Sequence, residues 1–479
     1  MVNQELTELA AQPNHLGQYL NQGIATLRRD DPEVFRLIEL EHQRQCRSLS
    51  LVASSGGTDS SVQAVVGSSV VNVTAEGYPG RRYHAGCQYV DRLEELAVER
   101  AKQVFGARYV NVQPHCASFA NHTVMQALLR PGDTIVGMAL DQGGHLTHGS
   151  SVNLSGKLYK VHSYGLDERG LIDYRQLAQL TREHRPKLIV CGTTSYTRVI
   201  DFDRIREIAD TVGAYVLADI THIAGLVAAG LHPSSIDAAH FTTTCTFKQL
   251  YGPRGGLIMM GRDADTTTGD GGRTLAQRID SAVFPMMQGS PEVHTIAAKA
   301  RAMSRLLDPG FRQLAQRIRG NADALARALT ARGYELVGGG TDNHIVLFRV
   351  PSGLDGLVAE RALESCDILV NKNKIPGDTR TAAVGSGVRL GSNTVALRGM
   401  GPAQMQRCVE LIDTVLTHTQ RGEGGDFFLP DAVRSGVSAG VHSLCREFPL
   451  PYDVAAGLPP AVPDPRTELT EPALSAGNR

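Results

Sequence analysis

Between residues 88 and 300 the chain repeats one alternation: an amphipathic stretch of helical period, then a short apolar run. "YVDRLEELAVERAKQVF" puts Leu93, Leu96, Ala97, Ala101 and Val104 on one helical face. "DTIVGMAL" and "PKLIVCG" are continuous apolar runs, as expected for strands buried on both faces. "FDRIREIADTVG" returns to helical spacing through Ile205, Ile208, Ala209 and Val212, and "AYVLAD" is another buried strand. Strands separated by helices in this way predict an α/β fold, with a mostly parallel sheet covered by helices.

At 479 residues the chain is too long for one small core, and two domains are expected. Residues 1–50 read as an N-terminal arm and helix. The arm (1–30) is polar and weakly patterned, whereas "DDPEVFRLIELEHQRQ" has an Asp N-cap, Pro32 in the first turn and an apolar stripe of Val34, Leu37 and Ile38. A large domain is expected over 51–305, closing after a Gly-, Thr- and Asp-rich loop at 263–274. The helical stretch "FRQLAQRIRGNADALARALTARG" and the strands "HIVLFRV" and "GVRLG" predict a smaller α+β domain over 306–455. Residues 456–479 are rich in proline and poor in large apolar side chains, the composition of a disordered or surface-draped tail.

A net charge of −1 gives no positive field to recommend nucleic acid or an anionic membrane as partner. No apolar run is long enough to span a bilayer, and "MVNQELTELA" lacks the basic start and apolar core of a signal peptide, so the cytoplasm is the expected compartment. The eight cysteines show no C-x-x-C and read as reduced thiols. Arginine supplies 40 of the 48 basic residues and lysine only eight. Lys248, in "TTTCTFKQLYGPRGG", stands out for that reason.

Four features carry chemistry. Cys116, Ala117 and Ser118 open the amphipathic "PHCASFANHTVMQALL", where free N–H groups and the helix dipole suit an anion, although plain N-capping explains them equally well. Asp219 ends the buried strand "VLAD", where open α/β sheets bind ligands, with His222 three residues on; an acid there also caps helices. His145 and His148 lie on the turn "DQGGHLTHGS". Asp141 is the one carboxylate near them in sequence, so a metal site is not expected, and a flat imidazole against a flat ring is another use for such a residue. Lys248 among threonines and Phe247 should have a lowered pKa, fit for a Schiff base. Together these describe a pyridoxal phosphate (PLP) pocket.

From about residue 31 to 450 the chain resembles the serine hydroxymethyltransferase family. The resemblance is carried by "DPEVFRLIELEHQRQ", "AEGYPGRRY", "YVNVQPH", "GGHLTHGS", "HIAGLVAAGLHP", "GPRGG", "NKNKIPGD" and "GVRLG". It implies the aminotransferase-like fold type I, a mostly parallel seven-stranded sheet, PLP as cofactor and tetrahydrofolate as cosubstrate. It also implies roles. Lys248 would hold PLP as a Schiff base, Asp219 would pair with the pyridine nitrogen, and His145 would stack on the ring. Thr194 and His222 would lie near the phenolic oxygen. Ser118, beside Ala117, would bind the phosphate, with Gly289 from a neighbouring subunit. Arg389 would grip the substrate carboxylate, helped by Ser54, and Asn373 would contact folate. Glu76, the catalytic carboxylate, and Tyr83 would cross from the partner, so the expected unit is a homodimer or a dimer of dimers.

The stretch "NVTAEGYPGRRYHAG" (72–86) departs from the family twice: Thr74 stands where the family has tyrosine, and His84 where it has a second tyrosine after Tyr83. Phe247 replaces a histidine, "SSGG" (54–57) replaces "SENF", His115-Cys116-Ala117 replaces "HSG" and Gly391-Ser392-Asn393 replaces "GTP". Retention of Lys248, Asp219, Glu76 and Arg389 argues against a non-catalytic relative. Loss of a ring at position 74 opens space beside the substrate Cα, and one methyl in a tight pocket is worth roughly 1–3 kcal/mol. The expected reaction therefore passes a one-carbon unit from 5,10-methylenetetrahydrofolate to D-alanine, giving α-methylserine. An ordinary serine/glycine hydroxymethyltransferase and a folate-independent aldolase or transaldolase are the alternatives.

Overall fold

A computed structural model describes residues 14–267 and 271–453. The expected tail therefore lies outside the described residues, as do 268–270 of the loop at 263–274. The described residues begin with two helices, α1 (His15–Asp30) and α2 (Pro32–Arg47), broken where Asp31 caps α2 by accepting from Val34 N at 3.2 Å. Residues 15–30, expected as part of a polar, weakly patterned arm, are helical.

Several apolar side chains of this pair are left uncovered by the described residues. Leu16, Tyr19, Ile24, Val34, Leu37 and Ile38 are all exposed. The stripe expected on α2 thus exists, but it faces outward. Helix α3 (Gln88–Phe105) buries Val90, Glu94, Ala97, Ala101 and Phe105, while Leu96 and Val104 of the expected face pack at its margin.

The central sheet consists of β1 (Tyr109–Asn111), β2 (Thr134–Met138), β3 (Lys160–Tyr164), β4 (Leu188–Gly192), β5 (Tyr215–Asp219), β6 (Phe241–Cys245) and β7 (Gly256–Met260). Their spatial order is β1-β7-β6-β5-β4-β2-β3. The pairs β2–β3, β2–β4, β4–β5 and β5–β6 are parallel, while β7 runs antiparallel to both β1 and β6. Helices α4 (Ala117–Leu128), α5 (Tyr174–His184) and α6 (Phe202–Asp210) follow strands of the sheet, and α7 (Val293–Leu306) packs on α3.

Helix α8 (Pro309–Ala331) blurs the boundary expected at 305. Phe311, Ala315 and Ile318 belong to the core of the large sheet, whereas Ala322, Leu325 and Leu329 belong to a second core. That second core also gathers Leu49 and Leu51, because Leu49–Ser50 pairs in parallel with Ile368–Leu369. It covers the antiparallel sheet β8 (Ile345–Arg349), β9 (Asn371–Asn373) and β10 (Gly387–Gly391), in the order β8-β10-β9, with α9 (Pro402–His418) and α10 (Asp431–Glu447). Among the described residues no helix is long and apolar enough to cross a membrane.

Candidate active site

The carboxyl ends of the central strands converge on Lys248, which follows β6. Its side chain is buried, burial lowers its pKa, and Nζ lies 2.9 Å from His222 Nε2. His222 is itself buried and held far below the usual histidine range by that burial and by the cations of Lys248 and Arg389; it stacks on His344 with ring centroids 5.7 Å apart. Its Nδ1 has no hydrogen-bond partner, an orphaned polar atom in the floor of the site.

Asp219 ends β5 under a network that fixes its orientation. Its Oδ2 accepts from Asn121 Nδ2 (2.8 Å) and faces His148 Nε2 (3.2 Å), and its Oδ1 accepts from Thr221 N (3.0 Å). Burial works against the charge, but these donors and the positive field of the two histidines hold the carboxyl well below its usual range. Asn121 also donates to Thr147 Oγ1 (2.9 Å) and accepts from Thr243 Oγ1 (2.5 Å), using both ends of its amide. Thr147 N and Oγ1 lie 3.2 and 2.7 Å from His145 Nδ1, which makes Nδ1 an acceptor and places the ring proton on Nε2. Burial pulls the His145 pKa down to about 4.

His145, His148 and Asp219 offer ligand atoms within 4.8 Å of one another, so the carboxylate near the histidines is Asp219. Asp141, the neighbour in sequence, is half exposed and pairs loosely with Lys374 at 3.8 Å. The donor atoms of the trio are nonetheless committed to hydrogen bonds, which suits an organic cofactor better than a metal ion.

Arg389 on β10 is buried and approaches from the second domain. Asn371 Oδ1 takes its Nε (3.0 Å) and the Thr194 carbonyl takes Nη1 (2.6 Å), leaving Nη2 free among the described residues. Burial lowers its pKa to about 10, still far above neutrality. Thr194 Oγ1 donates to the Gly144 carbonyl (3.1 Å). Ser54 lies on a segment squeezed between the two domains. His344 Nε2 and Asn393 Nδ2 both reach the Ala53 carbonyl (3.1 Å each). A side chain at Gly56 would collide with the carbonyl oxygens of Phe247 and Lys248, and one at Gly391 with the backbone of Ala53. Only glycines let three layers of backbone stack so closely.

Ala117 and Ser118 open α4, where Cys116 is the N-cap and its Sγ accepts from Phe119 N at 3.4 Å. Asn373 on β9 lines a groove of about 810 Å³ together with Leu140, Thr194, Ser195, Lys372 and Lys374. Phe247, the residue beside Lys248, lies under the guanidinium of Arg254 at 4.3 Å.

The remaining site residues lie elsewhere. Glu76 precedes a hairpin of Gly77–Tyr78 and Arg81–Arg82, in which Gly77 has φ +95° and a side chain there would also strike the Arg81 carbonyl. Arg82, nearly fully buried, ties that hairpin down. Its Nη1 donates to the carbonyls of Ala75 (3.1 Å) and Gly77 (2.8 Å), on either side of Glu76, while Nε and Nη2 pair with Asp91 (2.8 Å) and Glu94 (2.6 Å). Gln113 Nε2 joins Gly77 O (2.9 Å) to Glu94 (2.8 Å), and Ala75 N donates to Ser290 Oγ (3.0 Å). Gly289 sits against the Glu76 carboxylate. Thr74, Tyr83 and His84 are exposed, and no hydrogen bond or ion pair joins Glu76, Tyr83, His84 or Gly289 to the Lys248 cluster among the described residues.

Sequence reading missed the supports: Asn121, Thr147, Thr243, Asn371, His344, Arg82, Glu94 and Gln113. Asn121 had a signal, an amide among the mostly apolar buried residues of α4. Asn371 had none, because its partner Arg389 lies opposite it on the neighbouring strand, 18 residues away in sequence, and His344 had none, because it meets Ala53 and His222 across the domain junction.

A buried lysine of lowered pKa, an acid held ionised at a strand end, an imidazole held neutral and a free guanidinium edge fit PLP and an amino acid carboxylate. With a sheet of six parallel strands and one antiparallel, they define a PLP-dependent enzyme of fold type I. The serine hydroxymethyltransferase family profile matches residues 27–412. "Serine hydroxymethyltransferase 1" of Bordetella parapertussis is 48% identical over 430 residues, covering 89% of this chain and 96% of that protein. The chain belongs to the serine hydroxymethyltransferase family, hydroxymethyltransferases that use PLP with tetrahydrofolate as cosubstrate.

Proposed function

We propose that this hydroxymethyltransferase prefers D-alanine as the one-carbon acceptor, forming α-methylserine, and acts in the cytoplasm as a homodimer with shared active sites. The observation that carries the specificity is Thr74 on a backbone that cannot move to compensate. Ala75 N is held by Ser290, Ala75 O by Arg82, and the Thr74 carbonyl lies 3.9 Å from the Cys87 thiol. Exchanging the family's tyrosine for threonine here removes a ring without relocating the loop, and the vacated space suits a methyl on Cα.

PLP bound through Lys248 acts as the electron sink for the bond cleaved at Cα. The chain's own groups do the rest. Asp219 keeps the pyridine nitrogen protonated, and Asn121 and His148 keep Asp219 aimed. His145, neutral and fixed by Thr147, would stack against the ring. Ser118 and the N–H groups beside Ala117 receive the phosphate, with Gly289 contributed by the partner. His222 and Thr194 flank the phenolic oxygen. Arg389 presents its free edge to the substrate carboxylate beside Ser54, with His84 nearby. Glu76 moves the proton between folate, hydroxymethyl group and Cα, and Tyr83 lines the folate entrance. Folate would lie along the groove of Asn373, where Lys374, only loosely paired with Asp141, suits its carboxylates. The dimer reading is supported by the exposed apolar residues of α1 and α2, and by exposed Tyr83, Tyr89 and Met286 around the Glu76 loop.

A second reading, an ordinary serine/glycine enzyme, is favoured by the 48% identity to the Bordetella protein of that name. Purified protein with PLP, methylenetetrahydrofolate and either glycine or D-alanine separates the two, with products resolved by chiral chromatography and mass. D-alanine should be preferred, and T74Y should shift the preference toward glycine by about 10–200-fold. A clear glycine preference in the unsubstituted protein sinks the α-methyl reading. Aldehyde exchange without folate makes the protein an aldolase or transaldolase.

A further inference from the structure

Lysine is almost never fully buried without partners. Lys299, on α7, is 1% exposed and lies outside the machinery above. Its Nζ donates to three backbone carbonyls: Val112 (2.6 Å), Pro114 (3.1 Å) and Gly256 (3.0 Å). Three acceptors match the three hydrogens of an ammonium, whereas a neutral amine could serve only two. Burial opposes the charge, and the nearby carboxylates of Glu292 and Glu94 favour it. Glu94 and Asp91 pair with the guanidinium of Arg82, and the field of Glu94 reaches Lys299 without a direct contact.

The three carbonyls belong to the segments that shape the start of α4. Residues 112–114 run from the end of β1 toward Cys116, and Gly256 opens β7. Gly256 N also donates to the Pro114 carbonyl (2.9 Å), and the space a side chain would take at Gly256 is filled by the Cys116 carbonyl and Ala117 N. Gly255 is likewise bare because the stem of Lys299 occupies its side-chain space. The ammonium thus stitches together the two strands and the turn that aim the first N–H groups of α4.

We infer that Lys299 is a positioning residue for the cofactor phosphate, acting through the backbone of 112–117 without touching the cofactor. The inference rests on the reading that Ala117 and Ser118 receive that phosphate. The test compares PLP with pyridoxal, which lacks the phosphate, by equilibrium dialysis against the apoprotein, alongside far-UV circular dichroism. K299M keeps the length of the side chain and removes its charge. It should weaken PLP binding about tenfold or more, as expected when buried carbonyls lose a charged donor, while changing pyridoxal binding by less than about threefold. Unchanged PLP affinity, or equal losses for both ligands, overturns the inference. If K299M does not fold, G255A pushes a methyl against the lysine stem and should give the same selective loss; wild-type PLP affinity there also overturns it. S118A separates the two readings. If S118A binds PLP normally, the phosphate assignment fails, whatever K299M does.

Discussion

The Lys248 cluster and the Glu76 hairpin are built on opposite plans. Around Lys248 the side chains satisfy one another: Asn121 uses both ends of its amide, His148 and Thr221 aim Asp219, and Asn371 with the Thr194 carbonyl backs Arg389. In the hairpin the backbone is held instead, by Arg82, Gln113 and Ser290, while Thr74, Tyr83 and His84 stand in solvent. A held backbone whose exposed side chains make no hydrogen bond or ion pair with the Lys248 cluster among the described residues is the form expected of a part that serves a second subunit.

The sharpest way to break that comparison is to divide it between chains. K248A and E76Q should each cost about a thousandfold or more in folate-dependent turnover. Mixed and allowed to exchange subunits, they should recover about a quarter of wild-type activity, since half the dimers are hybrids with one intact site of two. No recovery under proven exchange would place both groups in one chain's site.

The next largest effect tests what holds the hairpin. R82M leaves Glu94 and Asp91 without their partner and should destabilise the fold by roughly 3–5 kcal/mol in denaturant titrations. In the protein that remains folded, turnover should fall more than PLP affinity. A loss below about 1 kcal/mol, the value of an exposed pair, would mean that something other than the clamp fixes Glu76.

The smallest effect is on the Lys248 side. Burial first, then neighbouring cations, lowers the pKa of His145 to about 4 and that of His344 to about 3. The unfolded chain takes up these protons near pH 6.5, the folded chain only near or below pH 4. Their contribution to stability is therefore present above pH 6.5 and lost as pH falls from there toward 4. Melting temperatures should decline across that window, and H145N should flatten the decline; a slope unchanged in H145N would remove His145 from the account.

What was legible in the sequence follows from the range of each signal. The helix and strand alternation, the cap at Asp31 and the strand-end acid are local patterns, and the family motifs carried the rest of the site. The helix over 15–30 was missed because its pattern is weak, and the stripe on α2 shows that a face wants cover without saying which molecule covers it. The division of α8 between two cores was hidden, since its period is continuous through the junction. The Arg82 clamp on Asp91 and Glu94, and the carbonyls gathered by Lys299, join residues from separate segments, and nothing near any one of them announces the others.

Gly56 stands where the family's SENF has asparagine, and the segment around it rests directly on the Lys248 carbonyl. That settling works as a ratchet in evolution. Once the loop has sunk into the space that a side chain would need, asparagine cannot return there alone; the loop must first be lifted by changes elsewhere. A lineage that has made this exchange is unlike its relatives in the paths still open to it, and grafting "SENF" into this chain should disturb Lys248 before it restores anything.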